Sequence, residues 1–477
     1  MRHRVGGVVR AGLAVLAVVG CLVALLAVHR VDAPDEAVTL PSTTTVAPDS
    51  AMLACPKAPT TGRPVSTVLA ASPRADAQGR VRMRVLARGR VFEASLVEET
   101  AARVGLRHRV DPRARSQVVV TGEGEQSTGL TATQVTVERG PDASGLAVTA
   151  CPAPADRWWF SGVDTDAAAT SRLDVTNPTS GLAVVDVLVY SSTGRIAAPG
   201  SRGIAIGPYG HRSLPLERLA PGVSDASLQV RTQRGQVVAA VHTARTDGVR
   251  PAGSEWIAPT TSPATDVLVN PGIAGRGDRT LLITNPGARE ALVQVQAFSA
   301  NGAFRPSELT DLRVPPGSVL ATTITELVDR EGVALRLQST VGVLAGVAST
   351  TATARQDFTV SGASLPLRTD PAVVAVLARV TTRVCAASKA AATSLVTIEQ
   401  VGTSGAVSGR EVLPVRVGRT ACLDVEPARG TAYLLVSADA SDDTQALATY
   451  VGRSGVASVP VSAGVWEITR PPVVPAP

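Results

Sequence analysis

Two stretches of the chain repeat one pattern of apolar and polar positions. VTNPTSGLAVVDVLVYSSTG begins at Val175 and ITNPGAREALVQVQAFSANG begins at Ile283, and each carries an Asn-Pro step, at Asn177 and Asn285. After that step apolar residues alternate with more polar ones until the chain reaches a glycine. This alternation is typical of a half-buried β-strand, and glycine supplies the positive φ of the turn that follows. The pattern therefore predicts the same strand and turn twice.

The similarity extends beyond this strand. ASLQVRTQRGQVVAAVHT (226–243) aligns with VALRLQSTVGVLAGVAST (333–350), and Gly235 and Gly342 fall at the predicted turn between two strands. Two further stretches predict a strand, a turn and a strand, namely 432–451 and 116–137. We therefore expect four units, of which the last has diverged because it lacks the Asn-Pro step.

These patterns predict an all-β fold of tandem immunoglobulin-like β-sandwich repeats, stacked in a row after one N-terminal transmembrane helix. A propeller is disfavoured because its repeat is only about 40–50 residues long. One stretch with helical spacing, EASLVEETAARVGLRHRV (93–110), predicts a short helix. The predicted segments are a β-domain 1 (54–155), a β-sandwich repeat 2 (156–264), a repeat 3 (265–368), a diverged repeat 4 (369–470) and a tail (471–477).

The N-terminus has the pattern of a membrane anchor. Residues 11–28 form an uncharged apolar run long enough to span a bilayer, and arginines precede it in residues 1–10. Because positive charge stays in the cytoplasm, we expect a single-pass plasma-membrane protein with a cytoplasmic N-terminus and an extracytoplasmic bulk. Residues 29–53, rich in Pro, Thr and Ser, predict a disordered linker. A cleaved signal peptide and a lipoprotein modified at Cys21 are the alternatives, and both place the bulk of the chain outside the cytoplasm.

The cysteines agree with an oxidising location. Apart from Cys21 there are four, an even number. We expect the pairs Cys55–Cys151 and Cys385–Cys422, because each then closes one predicted domain. A zinc site would need closely spaced cysteine pairs, and the sequence has none.

Charge argues against a nucleic-acid partner. The formal net charge is +6, and the arginines are scattered along the chain. A nucleic-acid binding surface needs basic residues clustered on one face or along one helix.

The sequence offers no catalytic constellation. His108, His211 and His242 lie in the predicted domains, but no GxSxG, HExxH, P-loop or SxxK motif is present. We expect no enzyme activity, no cofactor and no metal, and the alternative is an unrecognised hydrolase.

The densest aromatic patch is the run Trp158, Trp159 and Phe160. Exposed, it would be a binding surface on which a sugar ring or another protein could stack. The other interpretation is that these rings pack inside the fold. The recurrence of single aromatics at Trp256 and Trp466 favours packing.

A resemblance to a known family adds to this interpretation. The chain resembles an uncharacterised actinobacterial family of membrane-anchored or secreted proteins, catalogued as a domain of unknown function. The motifs that carry it are ACPAPADRWWFSG, the strand that ends in Thr-Asn-Pro, IAIGPYGHRSLPLERL and SLQVRTQRGQVVAAVH. The resemblance implies an envelope location and repeated β-strand motifs, and it brings no catalytic residues.

From these observations we expect a non-catalytic extracytoplasmic scaffold or interaction protein anchored in the cell envelope. Its partners would be the membrane, through the anchor, and other envelope proteins. The alternative is a binding module for cell-wall polysaccharide or peptidoglycan that assists an envelope enzyme or exporter.

Overall fold

The computed structural model describes residues 44–75, 78–87, 89–101, 103, 105–110, 117–269, 277–327, 332–351, 356–439 and 443–470. These residues form β-strands joined by turns and short 3₁₀ helices, so the all-β prediction is confirmed. The 3₁₀ helices are Glu125–Ser127, Leu216–Arg218, Ser307–Leu309 and Thr325–Leu327. Among the described residues, none lies in a helix with the length and apolar character to cross a membrane. The predicted anchor (11–28), residues 1–10 and the tail (471–477) lie outside the described residues.

Contacts divide the chain into two units. In the smaller unit, β1 (Thr44–Val46) pairs antiparallel with β35 (Ile468–Arg470). The larger unit, Ala47–Glu467, contains all the other strands. Because β1 and the next strand both begin before residue 54, the disorder predicted for the last part of the linker is wrong.

The first sheet pair consists of two four-stranded antiparallel sheets. Its strands are β2 (Ser50–Ala54), β3 (Val65–Ala71), β4 (Gly79–Ala87), β5 (Arg90–Glu99), β6 (Gly105–Val110), β7 (Gln117–Gly124), β8 (Thr131–Arg139) and β9 (Ser144–Ala150). The sheet orders are β2-β7-β4-β5 and β6-β3-β8-β9. The helix predicted for 93–110 is therefore wrong. Pairing of β5 with β4 and of β6 with β3 overrides the helical spacing.

The second sheet pair has a five-stranded and a four-stranded sheet. Its strands are β10 (Arg157–Val163), β11 (Ala169–Thr176), β12 (Ala183–Ser191), β13 (Gly194–Ile196), β14 (Ile204–Ile206), β15 (His211–Pro215), β16 (Ala226–Arg234), β17 (Val238–Asp247) and β18 (Arg250–Ile257). The orders are β10-β16-β12-β13, with β14 also on β12, and β15-β11-β17-β18.

The third sheet pair is joined by one long strand. Its strands are β19 (Ala264–Val269), β20 (Arg279–Asn285), β21 (Ala291–Ser299), β22 (Gly302–Phe304), β23 (Leu312–Val314), β24 (Ser318–Thr323), β25 (Ala334–Thr350) and β26 (Phe358–Gly362). The first part of β25 pairs with β19 and β21, and its last part pairs with β20 and β26. The turn predicted at Gly342 is therefore absent, whereas Gly235 does make a turn, with φ 73°.

The fourth sheet pair again has two four-stranded sheets. Its strands are β27 (Ala372–Ala375), β28 (Val380–Ser388), β29 (Ser394–Gly402), β30 (Val407–Val415), β31 (Thr420–Val425), β32 (Thr431–Ala438), β33 (Thr444–Gly452) and β34 (Gly455–Val461). Their orders are β27-β32-β29-β30 and β31-β28-β33-β34. In the first, second and fourth pairs alike, the first strand bonds to the third-last and the second strand to the second-last.

The last strands of the four sheet pairs pack against one another in a closed cycle. β9 contacts β18, β18 contacts β26, β26 contacts β34, and β34 contacts β9. The first and fourth pairs share a hydrophobic core that includes Leu146, Val148, Leu434 and Val436. A row would keep these two pairs apart, so the expectation of a stacked row is wrong.

Candidate functional site

The place where the four last strands meet contains two buried carboxyl groups, and we call it the junction. Glu255 projects from β18 and is fully buried. Its Oε1 accepts hydrogen bonds from the backbone N–H of Val148 on β9 (3.3 Å) and of Trp256 (2.9 Å). Its Oε2 accepts one from Ser458 on β34 (3.4 Å). The Glu255 side chain therefore makes hydrogen bonds to three of the four last strands, namely β9, β34 and its own strand, β18.

Asp357 is the second carboxyl of the junction, directly before β26. Its Oδ1 accepts a hydrogen bond from the N–H of Phe358 (2.9 Å), and its Oδ2 accepts one from the N–H of Val456 on β34 (2.9 Å). The backbone N–H groups of Leu146 and Ser254 also stabilise its charged form. Asp357 is buried, like Glu255.

Two glycines make room for the Asp357 carboxyl. A Cβ placed on Gly253 would lie 2.4 Å from Oδ1, and one on Gly455 would lie 1.9 Å from Oδ2. Both glycines have positive φ, 119° and 138°. No residue with a side chain fits these positions, because the carboxyl occupies the space and the backbone conformation favours glycine.

Burial governs the electrostatics of the junction. Burial raises the pKa of Asp357 to about 7, against the opposing effect of its backbone hydrogen bonds. Burial, with the like charge of Asp357, raises the pKa of Glu255 well above its ordinary value. Desolvation penalises the charged form of a buried carboxyl, and here it outweighs the backbone N–H donors, which favour that form.

His242, one of the three histidines of the predicted domains, lies next to the junction. Its Nε2 is 3.1 Å from Glu138 Oε2 on β8, and its ring packs edge-on against Trp256 at 4.9 Å between centroids. Burial raises the pKa of Glu138, but the hydrogen bond and charge of His242, with smaller effects of Ser254 and Arg172, bring it below its ordinary value. Both side chains are buried, so the pair joins the first sheet pair to the second.

His211 lies elsewhere, on β15, where the register places it opposite Thr176. Burial and the charge of Lys57 lower the pKa of His211. The hydroxyl of Thr176 accepts a hydrogen bond from Gln117 Nε2 at 2.5 Å. The carboxylate of Asp174, on the same strand, binds Arg172 at 2.9 Å. A histidine-based catalytic relay at His211 would need a hydroxyl and an acid. Here the Thr176 hydroxyl is bonded to Gln117, and the Asp174 carboxylate is paired with Arg172.

The aromatic patch is inside the fold. Trp158, Trp159 and Phe160 are 8%, 4% and 0% exposed. Trp158 donates from Nε1 to the carbonyl of Val237 at 2.9 Å. Trp159 packs on Tyr190, with 5.9 Å between ring centroids. The three rings therefore present no face on which a sugar ring could stack, and packing is the interpretation that the structure supports.

The disulfides are those expected from the sequence. Cys55 bonds to Cys151 and Cys385 bonds to Cys422. Cys385 and Cys422 lie directly opposite each other on the paired strands β28 and β31. Two disulfides point to an oxidising compartment. In the described part of the chain, no group of three or more His, Cys, Asp or Glu side chains could hold a metal ion.

A cleft of about 520 Å³ reaches the junction from the side of the second and third sheet pairs. Asp357 and Phe358 are among its lining residues. So are Asp164 and Arg245, which form an ion pair, and the Arg245 guanidinium lies 4.0 Å from the centre of the Phe358 ring. Solvent in this cleft has access to the neighbourhood of the Asp357 carboxyl.

Sequence reasoning missed Glu255 and Asp357, although a signal was present. The aromatic residues Trp256 and Phe358 each lie in the last strand of their unit, and each directly follows an acidic residue. An acid beside a buried aromatic in a predicted strand marks a carboxyl that needs internal hydrogen-bond donors.

The chain belongs to the family described as "Family of unknown function (DUF5719)", which matches residues 106–426. The matched range includes Glu255 and Asp357 but ends before β34, which supplies two of their donors. No curated protein matches the chain at a significant level.

Proposed function

We propose that the chain is a non-catalytic scaffold or interaction protein of the cell envelope, outside the cytoplasm. Residues 11–28 anchor it as a single transmembrane helix, and residues 1–10 remain in the cytoplasm. The two disulfides support the oxidising location, and the arginines before the apolar run support the orientation.

The body of this scaffold consists of tandem immunoglobulin-like sandwiches that arose by duplication. Common strand pairing in the sheet pairs supports this proposal. So do the side chains of Asn177 and Asn285. Each donates from Nδ2 to the carbonyl four residues later, of Gly181 at 2.6 Å and of Arg289 at 2.7 Å.

The observation that carries the interaction role is an exposed apolar strip on the fourth sheet pair. Leu395 on β29 is 44% exposed and Val412 on β30 is 50% exposed. Register places Leu395 opposite Pro414 and Thr397 opposite Val412, so all four residues share one face of the sheet. Strand β30 is the edge of this sheet. An edge strand beside exposed apolar side chains is a surface that pairs readily with another chain.

In-cell photo-crosslinking tests this role. A photo-reactive amino acid at Val412 should capture a discrete envelope protein in intact cells, and adding Leu395→Glu should abolish the capture. The matched control carries the same amino acid at Val249, which is 95% exposed at a hairpin tip away from the strip. Equal capture from both positions, or none from Val412, would contradict the proposal.

The alternative role is binding of cell-wall polysaccharide. The aromatic patch was the surface expected to stack on sugar rings, and it is buried. Capture of glycan rather than protein at Val412 would favour that alternative. The remaining alternative, a hydrolase, would need the imidazole of His211 or His242 to line a substrate-sized cleft together with an acid and a nucleophilic hydroxyl.

A further inference from the structure

The four sheet pairs form two halves. The first and fourth share one large core, to which β9 contributes Leu146 and Val148. The second and third share another, in which Phe358 and Val360 of the third pack with residues of the second. We call the first and fourth pairs the terminal half and the second and third pairs the central half. The boundary between the halves is the seam.

Apolar contact across the seam is modest. Three small clusters cross it, each with three or four fully buried residues. They include Trp256 packed with Ala147 and Ala240, and Phe298 packed with Ala387. Because hydrophobic stabilisation scales with the apolar area buried, the seam depends on its polar contacts more than either shared core does.

The hydrogen bonds of the junction carboxyls cross this seam, and both acceptor side chains lie on the same side of it. Both belong to the central half, Glu255 on β18 and Asp357 before β26. Four of their hydrogen-bond donors, the backbone N–H groups of Leu146, Val148, Val456 and Ser458, belong to the terminal half. The carboxyls therefore hold the backbones of β9 and β34 against the central half.

The charged side chains around the junction do not neutralise the negative charge that Glu255 and Asp357 would carry when ionised. Strands β9, β26 and β34 contain no ionisable side chain, and β18 adds only Arg250, at its exposed end. On neighbouring strands, Glu138 is paired with His242 and Arg245 is paired with Asp164. The strongest charge effect on Glu255 is repulsion from Asp357.

We propose that the seam is a proton-controlled closure, held shut while Glu255 and Asp357 retain protons and released as those protons are lost. Ionisation places like charges in a buried space whose partners are backbone N–H groups. Opening the seam relieves this by admitting water, and the cleft lined by Asp357 is the route by which water and protons arrive.

The raised pKa values of the two carboxyls determine whether the seam opens at low or at high pH. Burial raises the pKa of Asp357 to about 7 in the closed state. Burial and the charge of Asp357 raise that of Glu255 well above its ordinary value. An acid whose pKa is raised by closure favours closure fully below its ordinary pKa of about 4, and the stabilisation is lost as the pH rises to the closed-state value. For Asp357 alone, the open population should rise about tenfold per pH unit in this window and level off above it.

Hydrogen exchange on the full chain tests the proposal. We expect exchange at Val148, Val456 and Ser458, corrected for the intrinsic rate, to accelerate between pH 5 and pH 7 by at least about tenfold per pH unit. In the double variant Glu255→Gln with Asp357→Asn, neutral amides replace the acids and the acceleration should disappear. The variant Glu290→Gln should behave like the wild type, because the exposed Glu290 pairs with Arg313 and belongs to none of the four last strands.

A second measurement on the wild type decides the matter if the double variant fails to fold. Carbon-13 NMR of the labelled side-chain carboxyls should show Asp357 still protonated at pH 5 and titrating near neutrality. Protection of the three amides that does not change with pH, or an Asp357 carboxyl already ionised at pH 5, would overturn the proposal. So would an unchanged pH dependence in a folded double variant.

Discussion

At the scale of single residues, the Asn-Pro step has a larger role than its sequence suggested. From residue types alone, an Asn-Pro step is typical of the end of a strand and the start of a turn, because proline cannot donate to a ladder and asparagine tolerates the turn. In the structure the buried side chain of Asn177 also donates to the carbonyls of Ile206 and Gly207, at 3.1 and 3.0 Å, and accepts from the N–H of Thr179. It thus ties the end of β11 to the end of β14.

Replacement of Asn177 by alanine tests this role. Because it leaves buried carbonyls without donors, we expect Asn177→Ala to lower the free energy of unfolding of the second sheet pair by about 2–4 kcal/mol. Hydrogen exchange of the β11 amides measures the loss. The exposed Asn301, in the turn after β21, provides the control, and Asn301→Ala should stay within about 0.5 kcal/mol of the wild type. Equal small effects of the two changes would contradict the role.

Residue types predicted some of the candidate site and not the rest. An even number of cysteines in a predicted extracytoplasmic chain led to both disulfide pairs. The orientation of Trp158 and Trp159 could not be predicted, because burial of a ring depends on which sheet covers it. Glu255 and Asp357 were missed because their donors lie on strands that are distant in sequence, such as β34.

At the scale of elements, the period of two predicted most strands, and its failures have physical reasons. The stretch 93–110 has helical spacing, yet β5 and β6 form because their partner strands offer hydrogen bonds that a helix would forgo. At Gly342 a turn was expected by analogy with Gly235. Strand β25 instead continues, since its two parts pair with different sheets.

The start of β34 gives a prediction about one element. In Gly455→Ala the new Cβ would collide with the Asp357 carboxyl. We expect this variant to lose protection at Val456 and Ser458 and to unfold more easily by at least about 3 kcal/mol, since strain and the clash add. Thermal unfolding and hydrogen exchange measure both effects.

Gly302 provides a closely matched control for this variant. Its φ of 137° nearly equals the 138° of Gly455, and a Cβ on Gly302 would have no heavy atom within 4 Å. Gly302→Ala therefore reports the conformational penalty alone, about 1–2 kcal/mol. If both variants lost the same stability, the contact between Gly455 and Asp357 would have no role in holding β34.

At the scale of the whole larger unit, the arrangement of the sheet pairs could not be predicted from the sequence. Repeats in tandem are compatible with a row, and the strand pattern within each repeat says nothing about contacts between the first and the last. The closed cycle depends on small residues of β9 and β34: Gly145 and Ala147 of β9 lie against β18, and Ala457 of β34 lies in the core that the first and fourth sheet pairs share. Small side chains let the strands approach closely, but nothing in their local pattern identifies the partner.

One measurement tests the closed cycle most directly. A Cβ placed on Gly105 in the first sheet pair would lie 3.4 Å from the Cβ of Ala432 in the fourth. This is close to the Cβ separation of a disulfide, about 3.8 Å. We expect the double variant Gly105→Cys with Ala432→Cys to form a new disulfide in the folded full chain, so that alkylation without reduction labels neither introduced thiol. Each single variant should retain one reactive thiol. If both introduced thiols of the folded double variant were alkylated, the first and fourth sheet pairs would not be in contact, and the closed cycle would be contradicted.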